Sequence, residues 1–233
     1  MATSEKTKQQ AVPRRTQAQR RQKSTANMLE AAAQLFARQG FERTTLAQIA
    51  AQSGYSSGLI VHRFGSKVEL VKALVRDIQA RSRDEIFGPM LAITSPVECI
   101  DRLIQLYTDA ALAAETPLRA LFVLMAESVG HLGELREVFA RHNQAFVLLF
   151  ETQILKGQET GEIYPTIDAR LTASEIVSLL RGVMLLWLID PDSIAAREIV
   201  QTSRRGILEK LAPSTAPLAT RLASGHGSEA RPE

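Results

Sequence analysis

The sequence predicts an all-α fold of about nine or ten helices, on three observations. Apolar residues recur at three- and four-residue spacing along most of the chain, with no alternating strand pattern and no internal repeat. Ala and Leu, both strong helix formers, supply much of an apolar content of 45%, while aromatics make up only 5%. Start and stop signals bracket the apolar runs: Ser, Thr or Asp ahead, Gly or Pro behind. At 233 residues the chain is long enough to bury a substantial core.

Residues 1–22 are polar, basic and proline-punctuated, and read as a disordered basic arm. Arg14, Arg15, Arg20 and Arg21, with Lys23 just beyond, suit phosphates or a minor groove, or simply keep the arm solvated. A first helix runs from about Ser24 to Gln39, with Met28, Ala32, Leu35 and Phe36 on one face and Gly40 as its stop. Phe41 should plug a small core with Phe36, Ile49, Ile60 and Phe64. Thr45-x-x-Gln48 is a capping-box pattern opening a second helix, with Leu46, Ile49 and Ala50 inward and Gly54 past its end. Ser56 caps a third helix, Ser57 to Phe64. Its inward face is Ile60 and Phe64; Ser57, Gly58, Leu59, Val61, His62 and Arg63 face outward. Ser66-x-x-Glu69 opens a fourth helix from Lys67 to about Ser82, striped by Val71, Leu74, Val75 and Ile78.

Phe87 to Ile93, around Gly88-Pro89, reads as a short broken helix. Ser95-Pro96-Val97-Glu98 opens a helix to about Ala114, and Thr116-Pro117 opens another to about Val129. Glu134 to Lys156 is a long amphipathic helix ended by Gly157. Asp168 caps a helix to about Ile189 whose middle is apolar nearly all round, so it must be covered on several sides. Ser193 to Leu211 forms the last helix, and residues 212–233 read as a disordered tail.

Charge separates the two ends. Residues 1–70 hold eleven Lys/Arg against four Asp/Glu; the rest hold seventeen against twenty-one, so the front third is the part that attracts a polyanion. Helix, glycine turn, helix within that third is the helix-turn-helix layout, whose second helix lies in the DNA major groove. Thr45 and Lys67, at helix N-termini, suit phosphates, and Arg43 lies near the backbone. Ser56 caps beside them. Ser57, Leu59, Val61 and His62 are placed to reach base edges, Gly58 to admit the backbone, and Arg63 to take a phosphate or a guanine.

These residues resemble the DNA-binding domain of the tetracycline-repressor (TetR) family of bacterial regulators. The likeness runs from AAAQLFARQGFERTTLAQIA at Ala31–Ala50 through Gly54, Ser56, Gly58, Ile60, His62 and Phe64 to Ser66–Leu70. The chain departs at Val61, where members usually carry an aromatic, and at Arg63, where Tyr or His is usual. The resemblance implies DNA contact positions at Thr45, Ser57, His62 and Lys67. It implies a helix-turn-helix domain at 23–70 and an effector-binding and dimerisation domain at 71–211. It further implies a homodimer built on the last two long helices, with Leu179, Val183, Trp187 and Ile199 at the interface, and an effector cavity. Leu103, Tyr107, Phe122, Met125, His142, Phe146 and Arg181 are candidate lining residues, or else ordinary core; their apolar character suits a largely apolar small molecule.

Other classes find little support. His62, His131, His142 and His226 show no metal-ligand spacing, and the single Cys99 makes neither a zinc site nor an intrachain disulfide. No phosphate loop, nucleophile elbow or paired-carboxylate motif is present. No metal, cofactor or enzymatic activity is therefore expected. No uninterrupted apolar run suggests a membrane span, the start lacks a secretory pattern, and the expected location is the cytoplasm, on the bacterial nucleoid. The reading is a ligand-responsive repressor acting as a homodimer on a palindromic operator. A DNA-structuring protein without an effector is the rival, and a small-molecule enzyme fused to a DNA-binding head a distant third.

Overall fold

A computed structural model of the chain describes residues 16–90, 93–113, 116–130 and 132–212. Every regular element among them is helical. Helix α1 spans Gln17–Gln39 and starts well ahead of Ser24. Thr16 caps it reciprocally: its Oγ accepts the Gln19 N–H (3.2 Å), and its own N–H donates to Gln19 Oε1 (2.9 Å). The first turns expose Gln, Arg and Lys and have no apolar stripe, so periodicity is blind to them. Residues 17–22 are thus helical, and Arg20, Arg21 and Lys23 stand exposed along α1 rather than on a loose arm. Residues 1–15, with Arg14 and Arg15, and the tail 213–233 lie outside the described residues.

Helices α2 (Leu46–Ser53), α3 (Ser57–Phe64) and α4 (Lys67–Arg81) follow. Beyond Arg81 the backbone passes through a π-helical stretch, Ser82–Phe87, into the three-residue α5, Gly88–Met90. The break expected after Ser82 is a change of hydrogen-bond register, not a loop. Then come α6 (Pro96–Leu112), α7 (Thr116–Val129), α8 (Gly133–Thr160), α9 (Ala169–Ile189) and α10 (Ala196–Leu211). Gly157 does not end α8. A Cβ there would stand 2.5 Å from Ile163 Cδ1, so this glycine admits the Ile163 side chain, and the left-handed Gly161 (φ 76°) is the stop.

Two apolar cores organise the packing. The first joins Met28, Phe36, Phe41, Ile49, Ile60, Leu70 and Leu74 of α1–α4 to Leu121, Leu124, Leu135 and Phe139 of α7 and α8. The second gathers Ile100, Ile104, Phe150, Ile154, Ile176, Leu180 and Leu208. Helices α7 and α8 enter both, so packing continues across residue 70. A polar tie adds to this: Glu127 on α7 accepts the Phe41 N–H at 2.8 Å. Gly40 makes room for it, since a Cβ there would meet Glu127 Oε1 at 2.3 Å.

Candidate nucleic-acid interface and effector site

The frame of α3 is set by capping. Thr45 Oγ accepts the Gln48 N–H (3.1 Å) while Gln48 Oε1 accepts the Thr45 N–H (2.9 Å). Gly54 is left-handed (φ 77°, ψ 24°) and turns the chain into α3, where Ser56 Oγ accepts the Leu59 N–H at 3.2 Å. Ser66 likewise caps α4 through the Glu69 N–H (3.1 Å), but the Glu69 side chain pairs with Lys72 at 2.6 Å and does not return the cap.

Ile60 is fully buried and Phe64 half-buried, anchoring α3 to the first core. Ser56, Ser57, Gly58, Val61 and His62 are exposed, Val61 to 48%. The space in front of Gly58 is open, with no atom within 4 Å of where a Cβ would stand. Arg43 and Thr45 are exposed beside this face, with Arg43 Nε donating to the Gln39 carbonyl at 3.1 Å.

Two residues assigned to the outward face are drawn inward. Leu59 is half-buried against the first core. Arg63, one turn from the buried Ile60, reaches back to α1: its Nη1 donates to the Arg21 carbonyl (2.8 Å), to Ser24 Oγ (3.0 Å) and to Thr25 Oγ1. The Ser24 and Thr25 hydroxyls gave no hint of this in sequence. Lys67 is a strut: Nζ donates to the Phe41 (2.8 Å) and Thr44 (2.9 Å) carbonyls and sits 4.1 Å from the Phe41 ring centre. Burial lowers its pKa against the opposing fields of Glu42 and Glu127. A phosphate contact from Lys67 must share these bonds.

Of the seven effector-site candidates, five converge: Arg181, Tyr107, Phe122, His142 and Phe146. Arg181 on α9 donates through Nη1 to Tyr107 Oη (3.0 Å) and lies 3.0 Å from His142 Nε2 through Nη2. Its guanidinium carbon is 5.5, 5.4 and 5.1 Å from the ring centres of Tyr107, Phe122 and Phe146. Leu103 and Phe122 belong to the second core, whereas Met125 leans half-buried on the first. Burial, with Arg181 beside it, pushes His142 down to about 4, so the ring is neutral at pH 7. Burial raises Tyr107, with Arg181 opposing. Arginine only donates, so neutral His142 must accept at Nε2 and carry its proton on Nδ1. The Gln79 amide of α4, 3.1 Å from Nδ1, must then present its oxygen there. Gln79 was missed because it lies at the edge of an apolar stripe, next to Ile78. Asn143 Oδ1 and Arg181 Nε are buried without a hydrogen-bond partner.

Residues 28–74 match the model of the "bacterial regulatory proteins, tetR family", and residues 99–203 match a "tetracyclin repressor-like, C-terminal domain". The HTH-type transcriptional regulator BetI of Cronobacter sakazakii is 31% identical over 153 residues, 64% of this chain and 70% of BetI. The chain belongs to the TetR family. The HTH-type regulator TtgR of Pseudomonas putida is 27% identical over 74% of this chain and 84% of its own length. A solved TetR-family regulator from Cytophaga hutchinsonii shares the fold with a TM-score of 0.71 at 15% identity, covering 87% of this chain and 100% of that one. This TetR-family chain is a DNA-binding transcriptional regulator, and its relatives are regulators rather than enzymes.

The TetR-family chain departs from the expected dimer residues. Val183 is buried within the chain, Leu179 is half-buried in the second core, and Trp187 borders an open pocket of about 300 Å³ with Leu112, Ile194 and Arg197. Of the four, only Ile199 is exposed. Helical rotation puts Ala173, Ile176, Leu180, Val183 and Met184 on the inward face of α9. Its outward face carries Leu171, Leu185, Leu186 and Ile189, beside the open Gly182. By length and composition alone α9 could cross a membrane, but Ala173, Ile176, Leu180, Val183 and Met184 of this helix pack the second core.

Proposed function

We propose that this regulator is a ligand-responsive repressor that binds a palindromic operator as a homodimer on the bacterial nucleoid and leaves when a largely apolar effector enters its helical body. The uncovered face of α3 carries the reading: Ser57, Val61 and His62 are free at the surface while Ile60 and Phe64 hold the helix rigid. In the bound state Ser57, Val61 and His62 read base edges, Gly58 lets the α3 backbone approach, and Ser56, Thr45 and Arg43 meet phosphates. Leu59 and Arg63 orient α3 from behind, and Lys67 joins the phosphate contacts at the start of α4.

Residues 23–70 serve DNA binding in this account, and residues 71–211 serve effector binding and dimerisation. The exposed apolar side chains of α9, together with Ile199 on α10, support the dimer, because an unpartnered face of this kind on a soluble chain calls for a second copy. Two heads roughly 34 Å apart then read half-sites one helical turn apart.

Genome-wide mapping of bound DNA, followed by footprinting of the recovered segments, tests this. The expected result is a few discrete sites, each a protected inverted repeat near a promoter, with sedimentation showing a dimer at micromolar concentration. Even coverage without peaks would instead mark a DNA-structuring protein, and a monomer would remove the palindrome.

A further inference from the structure

Arg181 is a cation in the wrong company. Its partners are a phenol, a neutral imidazole and three ring faces, and among the described residues no carboxylate pairs with it. Its Nε–H is buried and has no acceptor among the described residues. Arg204, also half-buried in the helical body, shows the usual remedy: it grips Asp101 with two bonds, one from Nε and one from Nη2 (3.1 Å). A buried charge without a counterion is costly, and ring faces offset only part of the lost hydration.

We propose that Arg181 is the anchor for an acidic ligand, an apolar molecule bearing one carboxylate, held side-on by Nε and Nη2. This rests on the reading of the helical body as an effector site. Nε and Nη2 lie along one edge of the guanidinium, the edge that matches the two oxygens of a planar carboxylate. Nε is the atom left without a partner. The cluster holds one positive charge, with His142 neutral, so a single negative charge balances it. The rings of Tyr107, Phe122 and Phe146, centred 5.1–5.5 Å from that charge, supply apolar surface that suits the body of such a molecule. The carboxylate arrives where His142 now contacts Nη2, and the far nitrogen of that ring faces Gln79 on α4, the helix that begins at the DNA-binding head.

The test uses the full chain and three acids as probes, octanoate, dodecanoate and 2-naphthoate, each against its own primary amide. Calorimetry measures binding, and fluorescence anisotropy of an operator duplex measures release. At least one acid should bind roughly tenfold or more tighter than its amide and displace DNA. Arg181→Met should bring acid and amide within about twofold of each other, and Arg181→Lys, which keeps the charge but loses the fork, should fall between. The proposal is overturned if no acid binds, if every amide binds as well as its acid, or if Arg181→Met keeps the full preference. The wild-type acid–amide comparison decides the matter even if Arg181→Met does not fold. Operator binding without additive is a separate arm: its failure removes the repressor reading, while calorimetry still judges the acid site.

Discussion

Two half-covered arginines among the described residues of the helical body are treated oppositely. Arg204 of α10 meets Asp101 of α6 in a seam where both side chains are largely covered, and Asp101 also accepts a hydrogen bond from Gln105 at 3.0 Å. Among the described residues, Arg181 of α9 meets neutral acceptors and aromatic faces and no carboxylate. The seam is closed in charge and geometry, so it fixes α10 against α6. The Arg181 cluster holds its arginine with neutral groups and leaves Nε without a partner among the described residues, which is what the proposed anion site needs. A structural role and a receptive role can thus be told apart by which charges a fold leaves unanswered.

Breaking the seam should have the largest effect. Asp101→Ala leaves Arg204 covered and unpaired and should cost about 3–5 kcal/mol in urea denaturation. The Arg181 side of the contrast is sharpened by pH. His142 has a folded pKa of about 4 against an ordinary 6.5. Between those values the unfolded chain takes up a proton that the folded one refuses. Stability should therefore fall as pH drops from 6.5 towards 4, by on the order of 3 kcal/mol, and His142→Leu should remove that slope. Arg63 is the intermediate case, a half-exposed arginine satisfied by uncharged oxygens of α1. Arg63→Ala should cost about 1–2 kcal/mol and leave the Arg181 cluster untouched. Arg181→Met should be the mildest, within about 1 kcal/mol of wild type, because it removes a charge the fold never paired. A loss as large as that of Asp101→Ala would erase the contrast.

Local chemistry made much of the head legible. The Thr45–Gln48 box, Gly54, the Ser56 cap and the Ile60–Phe64 anchor all stand where spacing and capping rules put them. The errors have physical causes. A helix without an apolar stripe hides from periodicity, which is why α1 appeared to begin at Ser24. A glycine marks either a stop or a close approach, and at Gly157 only the position of Ile163 distinguishes them. Leu59 and Arg63 sit at the border of the α3 inward face, where a few degrees of helix rotation decide exposure. The nearly uniform apolar run of α9 conceals which side is core, so Val183 was assigned to a partner when it packs at home. The Arg204–Asp101 seam and the Gln79–His142–Arg181 chain join residues far apart in sequence, which no local pattern reveals.

Operator choice rests most on the outward side of α3. The direct measurement is anisotropy titration of a footprinted operator and a scrambled duplex of equal length, with wild type and with Val61→Ala/His62→Ala. Both side chains are exposed, so the double variant should melt close to wild type. It should lose about tenfold or more of its preference for the operator while keeping its weak, salt-sensitive hold on any duplex. Undiminished preference in a folded double variant would contradict the account.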